Sequence, residues 1–267
     1  MKSDKSYLVR PKKYLGQHFL KDHNIARNIV SALTGYKGYK NVLEIGPGMG
    51  VLSGLLLEDA QYQTYLMEID AESVAYLQEH YPQHRENILH QDFLKADLSQ
   101  LFKVPFAIIG NFPYNISSQI FFKILEEKEQ VTEVVCMLQR EVAQRISSPP
   151  GNKTYGILSV FLQAYYNIEY LFTVEPGVFK PPPKVKSAVI RLQRNDVVQL
   201  PCNEILFRKV VKQSFQNRRK TLRNALKPIN LPAPVRQLGI MDQRAEQLSV
   251  DAFVKLTNEI EQHAGND

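Results

Sequence analysis

Asn41-Val42-Leu43-Glu44-Ile45-Gly46-Pro47-Gly48-Met49-Gly50 runs from an apolar stretch into three alternating glycines. A buried strand, a turn that exposes its backbone and a helix over Met49 to Leu57 make one β-α unit. The same alternation continues downstream. Residues 64–67 read as a strand and 71–80 as a helix, then 87–89 as a strand before the polar turn Gln91-Asp92. Residues 105–110 and 133–138 are further strands, followed by helices over 116–125 and 139–146. Strands that alternate with helices predict an α/β fold whose mostly parallel sheet is covered on both faces. Residues 167–174 and 185–193 add two strands, read as an antiparallel edge pair, after a helix over 155–165.

Working outward, residues 1–14 read as a flexible basic arm, and Asp22 can cap a helix bearing Ile25, Ile29, Val30 and Leu33 on one face. The composition changes near Leu200-Pro201. From Glu204 the pattern is helical and basic to Lys227, then punctuated by prolines, then helical over 250–262. This predicts two domains, 1–200 and an all-helical 201–267. With 44% hydrophobic and 22% charged residues the chain matches a soluble globular protein. Its apolar runs are too short to span a membrane, and no signal peptide follows the N-terminal basic residues. Cys136 and Cys202 have neither metal-ligand nor disulfide spacing. These features suit a cytoplasmic protein with no metal.

The net charge of +6 is unevenly placed. Residues 1–21 hold six Lys/Arg and one Asp, and residues 201–230 hold eight Lys/Arg and one Glu, which leaves the rest of the chain at −6. Two basic segments around an acidic middle point to a polyanionic partner. Arg10, Lys12 and Lys13 in the first, and Arg218, Arg219, Lys220 and Arg223 in the second, are the candidate phosphate contacts on RNA. Solvated basic runs are the plainer alternative.

A dinucleotide fold asks for G-x-G-x-x-G, whereas this chain has G-x-G-x-G with Val51 next. The Glu44 carboxylate also stands where a pyrophosphate would approach. A cofactor with a cationic centre and no phosphate fits better, which points to S-adenosylmethionine at Gly46 and Gly48. Glu68, 22 residues beyond Gly46, ends the second strand and can accept from both ribose hydroxyls. Asp92 follows the third strand and can accept from the adenine amine, though a helix cap or a solvated turn is the plainer role of each acidic residue taken alone.

Gly110-Asn111-Phe112-Pro113-Tyr114-Asn115 ends the fourth strand, at the sheet edge where open α/β folds hold ligands. An ordinary strand-to-helix turn would use the same residues. As a site, the Asn111 side-chain oxygen and the Phe112 carbonyl can accept the two N–H bonds of an exocyclic amine, and Tyr114 can stack on its base. An adenine amine is a poor nucleophile because its lone pair is delocalised. Two acceptors would favour a pyramidal nitrogen aimed at a methyl donor, which is catalysis by orientation. Such a base must leave its stack. Phe179, beside Pro181-Pro182-Pro183, is the candidate for its second face, with a core aromatic as the alternative. No Ser/His/Asp arrangement suggests other chemistry.

Five segments together resemble the small-subunit (16S) rRNA adenine N6,N6-dimethyltransferases. They are Gly16 to Leu20, Glu44 to Gly50, Asn111 to Ser117, Val178 to Val189, and Phe215-Gln216-Asn217-Arg218-Arg219-Lys220-Thr221-Leu222-Arg223. The resemblance implies a Rossmann-like class I methyltransferase domain, a small helical C-terminal domain and S-adenosyl-L-methionine as cofactor. It implies cofactor contacts at His18, Leu20, Gly46, Glu68, Asp92 and Asn111. It implies dimethylation of adenosines, two adjacent ones, near the 3′ end of the RNA during small-subunit biogenesis, with that subunit as the partner; a monomer is expected. His18 departs from the family's usual Asn, and Phe112 from its usual Leu. The rivals are a large-subunit dimethyltransferase of the macrolide-resistance type, which the basic Phe215 to Arg223 motif disfavours, and a non-catalytic ribosome-assembly factor. A DNA adenine methyltransferase lacks support because no separate base-reading domain is evident.

Overall fold

The computed structural model describes residues 9–264, so most of the expected basic arm, residues 1–8, lies outside the described residues. The chain forms two compact units. One comprises the residues up to Ala143 together with Glu169–Arg194, and the other Gln144–Ile168 together with the residues from Asn195 onward.

The first unit opens with a two-residue strand, β1 (Phe19–Leu20), and then α1 (His23–Val30). Asp22 caps α1, accepting from the backbone N–H groups of Asn24 and Ile25 at 2.8 and 3.0 Å. The alternation then follows as β2 (Asn41–Ile45), α2 (Val51–Glu58), β3 (Gln63–Glu68), α3 (Ala71–His80) and β4 (Ile88–His90). After them come α4 (Leu98–Leu101), β5 (Phe106–Asn111), α5 (Ser117–Glu126), β6 (Val131–Gln139) and α6 (Arg140–Ser147). The helix expected from Met49 begins two residues later because Gly50 turns left-handed, at φ 77°.

Beyond α7 (Ile157–Gln163) the chain adds β7 (Tyr166–Val174), β8 (Phe179–Lys180) and β9 (Ser187–Arg194). The sheet order is β4-β3-β2-β5-β6-β9-β7, parallel from β4 to β6. The last strand in the chain turns inward. β9 pairs antiparallel with β6, from Glu133 opposite Gln193 to Gln139 opposite Ser187, and β7 takes the edge. Val42, Ala107, Ile109, Val135 and Val189 are fully buried on this sheet and pack with Ile29 and Leu56 of the helices. The sequence did not reveal a separate two-stranded ladder, in which β1 pairs antiparallel with β8, Leu20 opposite Phe179.

In the second unit α8 (Glu204–Gln216) is capped by the Asn203 side chain, which accepts from Ile205 and Leu206 N–H. The shorter α9 (Leu222–Ala225) and α10 (Ala233–Arg236) follow, and α11 (Val250–Ala264) closes the chain. Aromatic rings tie its core: Phe215 meets Tyr155 and Phe253, and Phe207 meets Phe161. The continuous helix expected from Glu204 to Lys227 is broken. Asn217 leaves the helical region at φ −125°, ψ 69°, and Asn217 to Lys220 form a turn.

Candidate active site

A cavity of about 240 Å³ opens at the carboxyl ends of β2, β3, β4 and β5. Gly46 and Gly48, Glu68, Asp92 and the whole turn from Asn111 to Ile116 line it. Each therefore sits where its own strand stops, as the alternating pattern required.

Glu68 organises the floor. Its buried carboxylate accepts from Gly48 N–H at 3.0 Å, and from Ile69 and Asp70 N–H at 2.8 and 2.9 Å. Burial pushes its pKa up, and those three donors oppose the shift. The carboxylate thus holds the glycine turn in place from the neighbouring strand. Gly48 itself has φ 57°, and a Cβ there would stand 2.8 Å from the Phe19 ring. The turn is a cradle that any side chain at this position would fill. Asp92 Oδ1 accepts from Leu94 N–H at 3.0 Å, which fixes the loop after β4.

The residues Tyr14 to Phe19 close the cavity from above. Their hold on the rest is specific. Asn111 Nδ2 donates to the His18 carbonyl at 2.9 Å, and His18 Nδ1 donates to the Pro181 carbonyl at 2.9 Å. The His18 ring lies against Tyr114, centroids 5.4 Å apart. Among the described residues, Asn111 Oδ1 and the Phe112 carbonyl have no hydrogen-bond partner. Phe112 N–H donates to Met137 and its ring packs edge-on against Phe121 in the core, so this departure from Leu alters packing rather than the cavity. Tyr114 is half-buried, its hydroxyl 2.5 Å from Ser187 Oγ, and burial raises its pKa.

Three expectations meet a different placement. Phe179 is 2% exposed within the core cluster and does not line the cavity, and Leu20, its ladder partner, is buried with it. Glu44 does not line the cavity either. It is fully buried, accepts from Ser53 Oγ at 2.7 Å, and burial raises its pKa to about 8. Its carboxyl meets Ser53 and stays out of the cavity lining, and its burial disfavours the charged form. The fit of the cradle to a phosphate-free cofactor therefore rests on Glu68 and Asp92.

The basic residues divide. Lys12 is ion-paired to Asp70 and lies 3.3 Å from Glu72, and Arg10 and Lys13 are exposed. In the second unit Arg218 donates to the Lys153 and Tyr155 carbonyls at 2.6 and 2.7 Å. Arg223 binds Asp242 at 2.8 Å and also donates to the Arg236 carbonyl. Arg219 and Lys220 are exposed, and their side chains have no partner among the described residues. Ser187 and the stretch Tyr14 to Gln17 were missed as site residues, although the quoted motifs contain Ser187, Gly16 and Gln17. No group of His, Cys, Asp or Glu able to hold a metal occurs among the described residues, and no helix is long and apolar enough to cross a membrane.

The family model for ribosomal RNA adenine dimethylase matches residues 9–262. The "Ribosomal RNA small subunit methyltransferase A" of Cytophaga hutchinsonii is 59% identical over 250 residues, 94% of this chain and 97% of that one. That of Parabacteroides distasonis is 55% identical over 264 residues, 97% and 98% of the two chains. Among solved structures, the 23S rRNA methyltransferase ErmE is 26% identical with a TM-score of 0.66, covering 91% of this chain and all of that one. A dimethyladenosine transferase from Plasmodium falciparum, 24% identical with a TM-score of 0.78 over 92% of this chain and 98% of that one, shares the fold.

Proposed function

The chain belongs to the ribosomal RNA adenine dimethylase family, and from that premise we propose how its residues carry out the reaction. It is an S-adenosyl-L-methionine-dependent enzyme that dimethylates N6 of adenine in small-subunit rRNA. The large-subunit alternative is disfavoured, since relatives above 50% identity along nearly the whole chain carry the small-subunit name.

S-adenosyl-L-methionine, when bound, supplies an electrophilic methyl carbon. Gly46 and Gly48 would hold it through their backbone, Glu68 through its ribose, and Asp92 through its adenine. The enzyme's own contribution is to hold the target nitrogen. Asn111 Oδ1 and the Phe112 carbonyl accept the two N–H bonds of the amine, which draws its lone pair out of conjugation. After one transfer a single N–H remains, and either acceptor can hold it. Tyr114 stacks on the base, its ring pinned by Ser187. His18 sets the Asn111 amide through its carbonyl and buttresses Tyr114 with its ring.

The observation that carries this reading is the free Asn111 oxygen beside the free Phe112 carbonyl on the cavity wall. We further assign the target to adenosines near the 3′ end of the RNA, two adjacent ones. The enzyme acts as a cytoplasmic monomer during subunit biogenesis. The sheet-bearing unit is the catalytic domain and the helical unit, which takes in Gln144–Ile168 beyond the expected boundary at residue 200, engages the subunit. Arg219 and Lys220, with Arg10 and Lys13, are its free phosphate contacts. The test is methyl transfer to purified small subunits, large subunits and a free hairpin, with nucleoside mass spectrometry. Dimethyladenosine confined to the small subunit is the expected result. Activity lost in Asn111→Ala would support the acceptor role, and full activity would remove it.

A further inference from the structure

A second cavity lies on the far side of Phe19. It is an open groove of about 1060 Å³. Phe19 is the one residue that lines both this groove and the reaction cavity. Three cations line the groove: Arg10, Lys21 and Lys180. All three are exposed, and among the described residues none has a hydrogen-bond or ion-pair partner for its side chain. Glu58 is the single carboxylate on the lining, and His23 the other titratable side chain apart from the tyrosines.

The remaining wall is not a generic basic surface. Tyr76 and Tyr81 line it beside Met49, Val51 and Leu55. The Tyr81 hydroxyl donates to the Gly50 carbonyl at 3.2 Å, which fixes its ring, and Tyr76 stacks on His80 at 3.8 Å. The amino-terminal end of α2, with its unpaired N–H groups, borders the same space. Exposed cations and half-buried aromatic rings on one wall are the two elements by which proteins hold single-stranded nucleic acid. Lys12, which is already paired with Asp70, is not on this lining.

We propose that this groove binds single-stranded RNA contiguous with the reacting adenosine, its phosphates against Arg10, Lys21 and Lys180 and a base against Tyr76 or Tyr81. The inference rests on the assignment of the neighbouring cavity as the methyl-transfer site. A strand that delivers a flipped base to that cavity must continue beyond it, and passing Phe19 brings it to the groove. Charge complementarity selects the occupant: three free cations against one carboxylate suit a phosphate backbone.

The test uses the full chain with Lys21→Glu and Lys180→Glu combined, and Tyr76→Leu separately, on undermethylated small subunits. The double variant should raise KM about tenfold and lower the salt dependence of binding by about two phosphate contacts, with kcat within about twofold. S-adenosylmethionine affinity, measured by calorimetry, should stay unchanged. Tyr76→Leu should raise KM without altering the salt dependence. A photo-crosslinker on Lys21→Cys should map to nucleotides adjoining the dimethylated adenosine. Unchanged KM and salt slope, a crosslink far from that adenosine, or weakened cofactor binding with unaltered RNA binding would each overturn the proposal. A wild-type protein inactive on small subunits would instead overturn the reaction assigned to the cavity.

Discussion

The amide nitrogen of Asn111 lies 2.9 Å from the backbone carbonyl of His18. A carbonyl can only accept, so the NH2 of Asn111 must face His18, and its oxygen is left for another donor. One main-chain atom, 93 residues away in sequence, thereby decides which end of the amide meets a substrate.

Asn111→Ala removes that acceptor and should slow methyl transfer by about 10²- to 10³-fold, the usual effect of losing one preorganised polar group. Asn111→Asp replaces the donor facing the His18 carbonyl with a second acceptor, so it should be no better. Single-turnover transfer to small subunits measures both, and filter binding should show subunit affinity essentially intact.

Glu68→Ala leaves Gly48, Ile69 and Asp70 N–H without their acceptor and removes the ribose partner. S-adenosylmethionine binding should weaken by roughly 1–3 kcal/mol in calorimetry. Glu68→Gln, which keeps one acceptor oxygen, should fall between the two.

Glu44 predicts an unusual pH dependence. Its folded pKa of about 8 exceeds the ordinary 4.5, so between those values the folded state holds a proton that the unfolded chain has released. Its contribution to stability is therefore complete below about 4.5, declines as pH rises toward about 8, and is flat beyond. Glu44→Gln, which can still accept from Ser53, should abolish this component. Denaturant melts from pH 5 to 9 should show the variant gaining on wild type as pH rises, by a few kcal/mol.

The motif Arg218 to Arg223 should separate into two roles. Arg218→Ala and Arg223→Ala each remove two or more hydrogen bonds within the helical unit and should lower the melting temperature by a few degrees. Arg219→Ala and Lys220→Ala should leave melting unchanged. Instead each should reduce the salt slope of subunit binding by about one phosphate contact. Melting curves and a salt series on the four variants check the division.

The alternating units were legible because apolar runs of five or six residues, each closed by a polar or glycine turn, leave little choice of element. Glu68, Asp92 and Asn111 were legible as site residues for the same reason, since each stands where a strand ends. What escaped was whatever depends on pairing across distance. A two-residue strand such as Phe19–Leu20 has no periodicity to detect, and its partner lies about 160 residues on. The prolines beside Phe179 suggest a stacking face for the base, yet in the ladder its ring lies in the core, the alternative reading. Arg218 and Arg223 looked like a charged patch because side chains that bind carbonyls elsewhere in the fold look identical in sequence to free ones. Glu44 looked ionised because a sequence does not display desolvation.

The ladder between Phe19–Leu20 and Phe179–Lys180 also bears on when the enzyme matures. Every residue lining the reaction cavity lies between Tyr14 and Ile116, so a nascent chain contains them all before β8 is made. Such a chain still lacks the strand that holds Phe19 and Leu20 in register, Pro181 for the His18 ring, and Ser187 for Tyr114. The lid over the cavity is thus a late event in translation, completed only after about residue 187 has left the exit tunnel. During synthesis the residues of the cavity therefore emerge well before the segment that fastens their cover.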